Sequence, residues 1–214
     1  MSKKLFLYLV VIGLATACAY YTIEFISERA VPLPFYGVDD HTVPSFEYTN
    51  QLGNTFSSED HNDKIWIVDY FFTSCPTICP IMTKNLQEVH ERIRNDKDVM
   101  ILSFTVDPKR DQPPRLLNYA EKHRANHDTW QFLTGDKTSL YRHGRTGFLL
   151  SSGDGGGDDG FIHSENIVVV DQDQRIRGFF NGTDSKAPKQ IMAAINKLRR
   201  EMETSNFKNA SISQ

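Results

Sequence analysis

Cys75 and Cys79 lie within Asp-Tyr-Phe-Phe-Thr-Ser-Cys-Pro-Thr-Ile-Cys-Pro, residues 69–80. Two thiols at this separation close a disulfide or hold one soft metal ion, and the thiolate is the form that attacks and ligates. A purely structural bridge over so short a loop would constrain little of the unfolded chain. The proline after each cysteine also points to a shaped turn, so the pair reads as functional.

The flanking residues say how the turn is carried. An apolar run at 65–68 precedes it and an amphipathic segment at 81–93 follows it, giving a buried strand, a tight turn and a helix. Pro80 disfavours helical backbone at Cys79 and suits the first helical position. The helix is therefore expected to begin at Pro80, with both cysteines in the loop before it. There the positive end of the helix macrodipole favours thiolate over thiol.

A third ligand would have to come from elsewhere. Of the seven histidines, His41 and His61 fall in expected loops, and His90, His123, His127 and His143 read as solvated. His163 differs, because it follows a loop rich in glycine and aspartate and immediately precedes a strand. That location would let it face the cysteine turn, although a lone histidine at a strand edge is more often structural. Met82 reads as a packing residue. Asp154, Asp158 and Asp159 lack the spacing and terminal glutamate of a calcium loop and read as a solvated hinge.

Strands are expected at 64–72, 99–106, 130–133, 167–170 and 175–180, with a hairpin over 46–56. Helices are expected at 80–94, 112–123, 138–143 and 185–200, and a long loop at 144–160. Strands alternating with helices and closed by a hairpin and a helix define an α/β domain with a central mixed β-sheet flanked by helices. A reactive turn between a central strand and a helix is what a thioredoxin-like fold offers.

At the N-terminus, Lys3 and Lys4 precede an uncharged run from 5 to 23. Its length suits a membrane anchor, and the lysines favour an N-terminus left in the cytoplasm. The domain would then face the periplasm or outside of a bacterial cytoplasmic membrane. Ala-Thr-Ala-Cys at 15–18 offers a second reading, a lipoprotein signal with Cys18 lipidated, and a cleaved secretory signal is a third. The expected organisation is an anchor or signal at 1–23, a linker at 24–43, the domain at 44–200 and a disordered polar tail at 201–214. A net charge of −3 gives no support for nucleic-acid binding. Three cysteines are too few for a disulfide-dense scaffold.

The motif at 69–80, then Phe-Thr-Val-Asp-Pro at 104–108, then His163-Ser164, together resemble the Sco/SenC family over residues 43–198. The resemblance implies a thioredoxin-like copper protein with a membrane anchor that helps assemble the copper A centre of cytochrome c oxidase. It implies Cys75, Cys79 and His163 as metal ligands and Asp107 as a neighbour of the site. Two thiolates and an imidazole form a soft donor set suited to copper in either oxidation state. The partner implied is the copper A subunit or another copper or thiol target. A membrane-anchored thiol-disulfide reductase using Cys75 and Cys79 is the alternative. Against a general oxidoreductase, three residues separate the cysteines where thioredoxins have two, and residues 163–166 contain no proline. A peroxidase reading is weaker, since Thr73 stands two residues before Cys75 where peroxiredoxins place theirs three before.

Overall fold

The computed structural model describes residues 3–38, 40–150 and 164–212. After helix α1 (Lys3–Ala30), strands β1 (Glu47–Asn50) and β2 (Thr55–Ser57) form the expected hairpin. Then follow β3 (Ile65–Phe71), α2 (Ile78–Ile93), β4 (Val99–Thr105), α3 (Pro113–Lys122) and β5 (Trp130–Thr134). Helix α4 (Lys137–Arg142), β6 (Asn166–Val170), β7 (Ile176–Asn181) and α5 (Ala187–Ile212) complete the chain. The seven strands form one mixed sheet in the order β2-β1-β5-β4-β3-β6-β7, with β3, β4 and β5 parallel.

The central strands are apolar on both faces because both faces are covered. Alternation along β3 sends Trp66, Val68 and Tyr70 into an aromatic layer with Phe46, Tyr48, Phe104 and Phe148. Ile65, Ile67 and Phe71 face the other way, onto Leu86, Val89 and Ile93 of α2 and Ile191 and Ile195 of α5. Each such buried side chain contributes roughly 1.5–3 kcal/mol of transfer free energy. Asp69 has the parity of Ile67 and Phe71, so a carboxyl lies on the apolar helix-covered face at 1% exposure.

Several boundaries differ from expectation. Helix α2 begins at Ile78 and not at Pro80, so Cys79 lies in its first turn. Proline is accommodated there because the first-turn N–H groups have no intrahelical partner to lose. The loop expected from 144 is ordered at its start: His143–Gly147 is a π-helical turn, and Phe148 and Leu150 are buried in the aromatic layer. Residues 151–163, including His163 and the aspartates of the expected hinge, lie outside the described residues.

The expected linker and tail also hold more structure. The N-terminal helix runs to Ala30, and its Lys3–Thr22 portion is long and apolar enough to cross a membrane by length and composition. The chain after it is pinned to the domain. Leu33 N–H donates to Glu201 Oε1 (2.8 Å), and Arg177 donates to the carbonyls of Leu33 (2.8 Å) and Pro34 (3.3 Å). Arg177 is 5% exposed and also pairs with Asp171 (2.8 Å) and Glu201 (2.6 Å). Tyr36 N–H bonds the Ile176 carbonyl (3.0 Å) and the Phe35 ring lies under both Arg175 and Arg177. Docking of Glu201 and Met202 carries α5 past Arg200 to Ile212, where a disordered tail was expected.

Candidate metal centre

Strand β3 ends at Phe71, and the chain turns sharply so that Cys75 N–H donates to the Phe72 carbonyl at 3.2 Å. Both cysteines are free thiols; Cys75 is half-buried and Cys79 is 3% exposed. The N–H of Cys79, unsatisfied within the helix because it belongs to the first turn, donates to Cys75 Sγ at 3.4 Å. Helix start and thiol are thus joined directly.

The two sulfurs are electrostatically unlike. Burial pushes the Cys75 thiol up, but hydrogen bonds from Cys79 and Thr77 outweigh it, so its pKa is lowered. Burial pushes the Cys79 thiol well above the ordinary range, opposed by a hydrogen bond at Phe72 and reinforced by Cys75 and Asp69. The helix start therefore favours one thiolate, at Cys75, and not both as expected. Cys79 needs a compensating cation to ionise, and a bound soft metal ion deprotonates a coordinating thiol outright. The pair fits such an ion: one donor is half-buried and ionisable, the other is buried in the apolar cluster under α2.

Two buried carboxyls underlie the turn. Asp69, on β3, accepts from Ser103 Oγ at 2.5 Å, and Ser103 Oγ accepts from Trp130 Nε1 at 3.0 Å. Burial raises its pKa to about 7 against the lowering effect of the Ser103 bond. Asp111, at 0% exposure in the turn after β4, accepts from Thr73 N–H (3.0 Å), Thr73 Oγ1 (2.5 Å) and Thr105 Oγ1 (2.7 Å). Arg115 Nε lies 3.5 Å from Asp111 Oδ1, the oxygen that accepts from the Thr73 hydroxyl, and donates to Thr73 Oγ1 at 2.6 Å. Asp107 pairs with Arg110 at 3.7 Å, and its N–H donates at 3.0 Å to Thr105 Oγ1, the hydroxyl that donates to Asp111. Met82 is buried in the same cluster as Cys79, in the packing role expected of it.

Among the described residues, no group of three or more His, Cys, Asp and Glu side chains is disposed to hold a metal ion. His163 lies outside them, but its neighbour Ser164 does not. Strand β6 runs antiparallel to β3, pairing Val168 with Val68, so its N-terminal end lies at the end of the sheet from which the cysteine turn emerges. Ser164 is buried there, its Oγ accepting from Asn166 N–H at 3.1 Å.

Two histidines expected in solvent are buried. His90 lies on the Trp130 ring, bonded to Asn126 N–H and Thr129 Oγ1 (both 3.2 Å), and burial lowers its pKa to about 4. His143 is held between Phe46, Tyr48 and Phe148, and burial lowers its pKa likewise to about 4. Both were misread because imidazole carries a flat face that aromatic layers accept. Cys18 is exposed on α1, remote from the pair in sequence.

The SCO1/SenC family model matches residues 37–200, covering the sheet, the cysteine turn and Ser164. The chain belongs to the SCO1/SenC family. It is 29% identical over 158 residues to the SCO1 protein homolog of Bacillus subtilis (strain 168), spanning 73% of this chain and 82% of that protein. It is 27% identical over 143 residues to a putative copper-binding protein of Stutzerimonas stutzeri, 65% of this chain and 69% of that one. The solved structure of BsSco, a Sco family member among cytochrome c oxidase assembly proteins and one with a disulfide switch, superposes with a TM-score of 0.64. That likeness carries 29% identity over 74% of this chain and 93% of BsSco. The fold is accordingly the thioredoxin-like fold of SCO1/SenC proteins.

Asp111 was not singled out from the sequence and Asp69 was given no role. The signal for Asp69 was available, as a lone acid inside an otherwise apolar strand. Asp111 had none, because only the fold carries the turn after β4 to the turn after β3.

Proposed function

We propose that this chain is a copper metallochaperone that holds copper through Cys75, Cys79 and His163 and delivers it to the copper A site of cytochrome c oxidase. The observation that carries this reading is the asymmetric free thiol pair, with the chain returning to the same sheet end at Ser164, next to His163. Cys75 offers the accessible thiolate for capture and for handover by ligand exchange, and Cys79 holds the cargo from the apolar side. The soft donor set suits copper, and the copper-binding relative and the oxidase-assembly role of BsSco support the same assignment. The apolar helix at Lys3–Thr22 anchors the domain to the membrane, with the domain on the periplasmic side.

A thiol-disulfide reductase is the second reading, favoured by the lowered Cys75 and raised Cys79. Cys75 thiolate would attack a target disulfide, releasing one target thiolate and forming a mixed disulfide. Cys79, losing its proton, would then attack the Cys75 sulfur, releasing the second target thiol. The chain's pair is oxidised and the target reduced.

Copper titration of the reduced, detergent-solubilised full chain separates the two. The metallochaperone reading expects one Cu(II) per chain with a sulfur-to-copper charge-transfer band and a matching electron spin resonance signal. Cys75→Ser or Cys79→Ser should abolish stable binding. His163→Ala should weaken it severely while leaving disulfide formation by the cysteine pair intact. Absence of retained copper alongside a readily cycled Cys75–Cys79 disulfide would overturn this reading in favour of the reductase.

A further inference from the structure

The geometry points to Asp111 as the residue that positions Cys75 against Cys79. This assignment rests on the reading of Cys75 and Cys79 as the working pair. Within the turn between β3 and α2, Cys75 N–H donates to Phe72 O at 3.2 Å, Cys79 N–H donates to Cys75 Sγ at 3.4 Å and Thr77 also bonds the Cys75 sulfur; none of these ties the turn to the neighbouring strand. The hydrogen bonds that reach Thr73 from outside the turn come from Asp111 and Arg115.

Thr73 is two residues before Cys75, and both its N–H and its hydroxyl close on one carboxylate. Two bonds to one rigid acceptor fix the peptide's rotation as well as its position, which a single bond does not. The other anchor points of that carboxylate are equally rigid. Thr105 is the last residue of β4, the neighbour of β3 in the sheet, and Arg115 is in the first turn of α3. Asp111 itself is held by its own N–H to the Asp107 carbonyl at 2.9 Å. It thus joins the cysteine turn to the adjacent strand-to-helix turn through a carboxylate that is itself buried. Arg115 completes the clamp from its exposed side, by bonding Thr73 and pairing with Asp111. Asp111 touches neither sulfur, so it acts through the position of Cys75 and not in the chemistry.

The test compares the full chain in detergent with Asp111→Asn, Asp111→Ala and Asp98→Asn. Asp98 pairs with Arg199 at 2.8 Å just before β4, at the sheet end opposite the cysteines, and controls for lost stability alone. The readouts are the equilibrium constant of the Cys75–Cys79 disulfide against glutathione, the Cu(II) charge-transfer spectrum and the thermal midpoint. Because small misplacements of reacting groups are costly, the disulfide constant is expected to fall about tenfold in Asp111→Ala. Asp111→Asn keeps one acceptor oxygen and should fall by no more than about threefold. Asp98→Asn should lower the thermal midpoint with the constant unchanged. If Asp111→Ala does not fold, Thr73→Val, which keeps the backbone bond and loses the hydroxyl one, should show a fall of about threefold. A lowered thermal midpoint with an unaltered constant and spectrum in the Asp111 and Thr73 variants would overturn the assignment and leave Asp111 a stabilising residue only. A shifted constant in a protein that binds no copper even unmutated would sink the copper reading and uphold the positioning.

Discussion

Asp69 and Asp111 are sealed from solvent at the base of the same turn, at 1% and 0% exposure, and they are built for opposite purposes. Asp69 has Ser103 as its side-chain donor and sits in the apolar layer under α2, so burial wins and its pKa rises to about 7. Asp111 receives three hydrogen bonds from Thr73 and Thr105 and an ion pair from Arg115. The number of donors aimed at a buried carboxyl, more than its depth, decides whether it behaves as a proton store or as a fastening. One such group of each kind supports the turn.

That contrast is broken most severely at Asp111. Asp111→Ala removes the acceptor of the buried Thr105 hydroxyl and of the half-buried Thr73 N–H and hydroxyl, and should lower unfolding free energy by about 2–3 kcal/mol in urea titration at neutral pH. A loss below about 1 kcal/mol would mean that the donors find other partners.

Asp69→Asn should do the reverse. With the folded carboxyl titrating near pH 7 and the unfolded one near its ordinary value of 3.8, its stabilising contribution is full below the unfolded value and is lost as pH rises through 7. The slope reaches about 1.4 kcal/mol per pH unit. The asparagine variant should therefore be more stable than the parent at about pH 8 and lose that part of the slope. An unchanged pH profile would show that Asp69 stays ionised in the fold.

The smallest expected effect is at Ser103. Ser103→Ala should cost about 1–2 kcal/mol at pH 5 and push the titration of Asp69 higher still, read from the displacement of the same profile.

The sheet, the order of the elements and the cysteine turn were legible because strand and helix periodicity and local proline chemistry are encoded in consecutive residues. The start of α2 was misplaced by two residues because Pro80 fits anywhere in a first helical turn. Unequal thiols were not legible, since the burial of Cys79 depends on α2 packing against the sheet. The same holds for Asp111, whose partners lie 38 residues away at Thr73 and across two strands. His90 and His143 were read as wet for want of the aromatic rings that only tertiary contact supplies.

The fastening of residues 33–36 onto Arg177 has a consequence for reach. Arg177 and Ile176 lie at the N-terminal end of β3 as the sheet is ordered, while the cysteine turn leaves its C-terminal end. Seven strand residues, about 20 Å at the usual rise, therefore separate the mooring from the thiols. Under the anchoring proposed above, the domain would not sweep its surroundings on slack chain. It would then stand as a short mast with the sulfurs at the far end from the mooring, and a receiving site would have to meet them at that height.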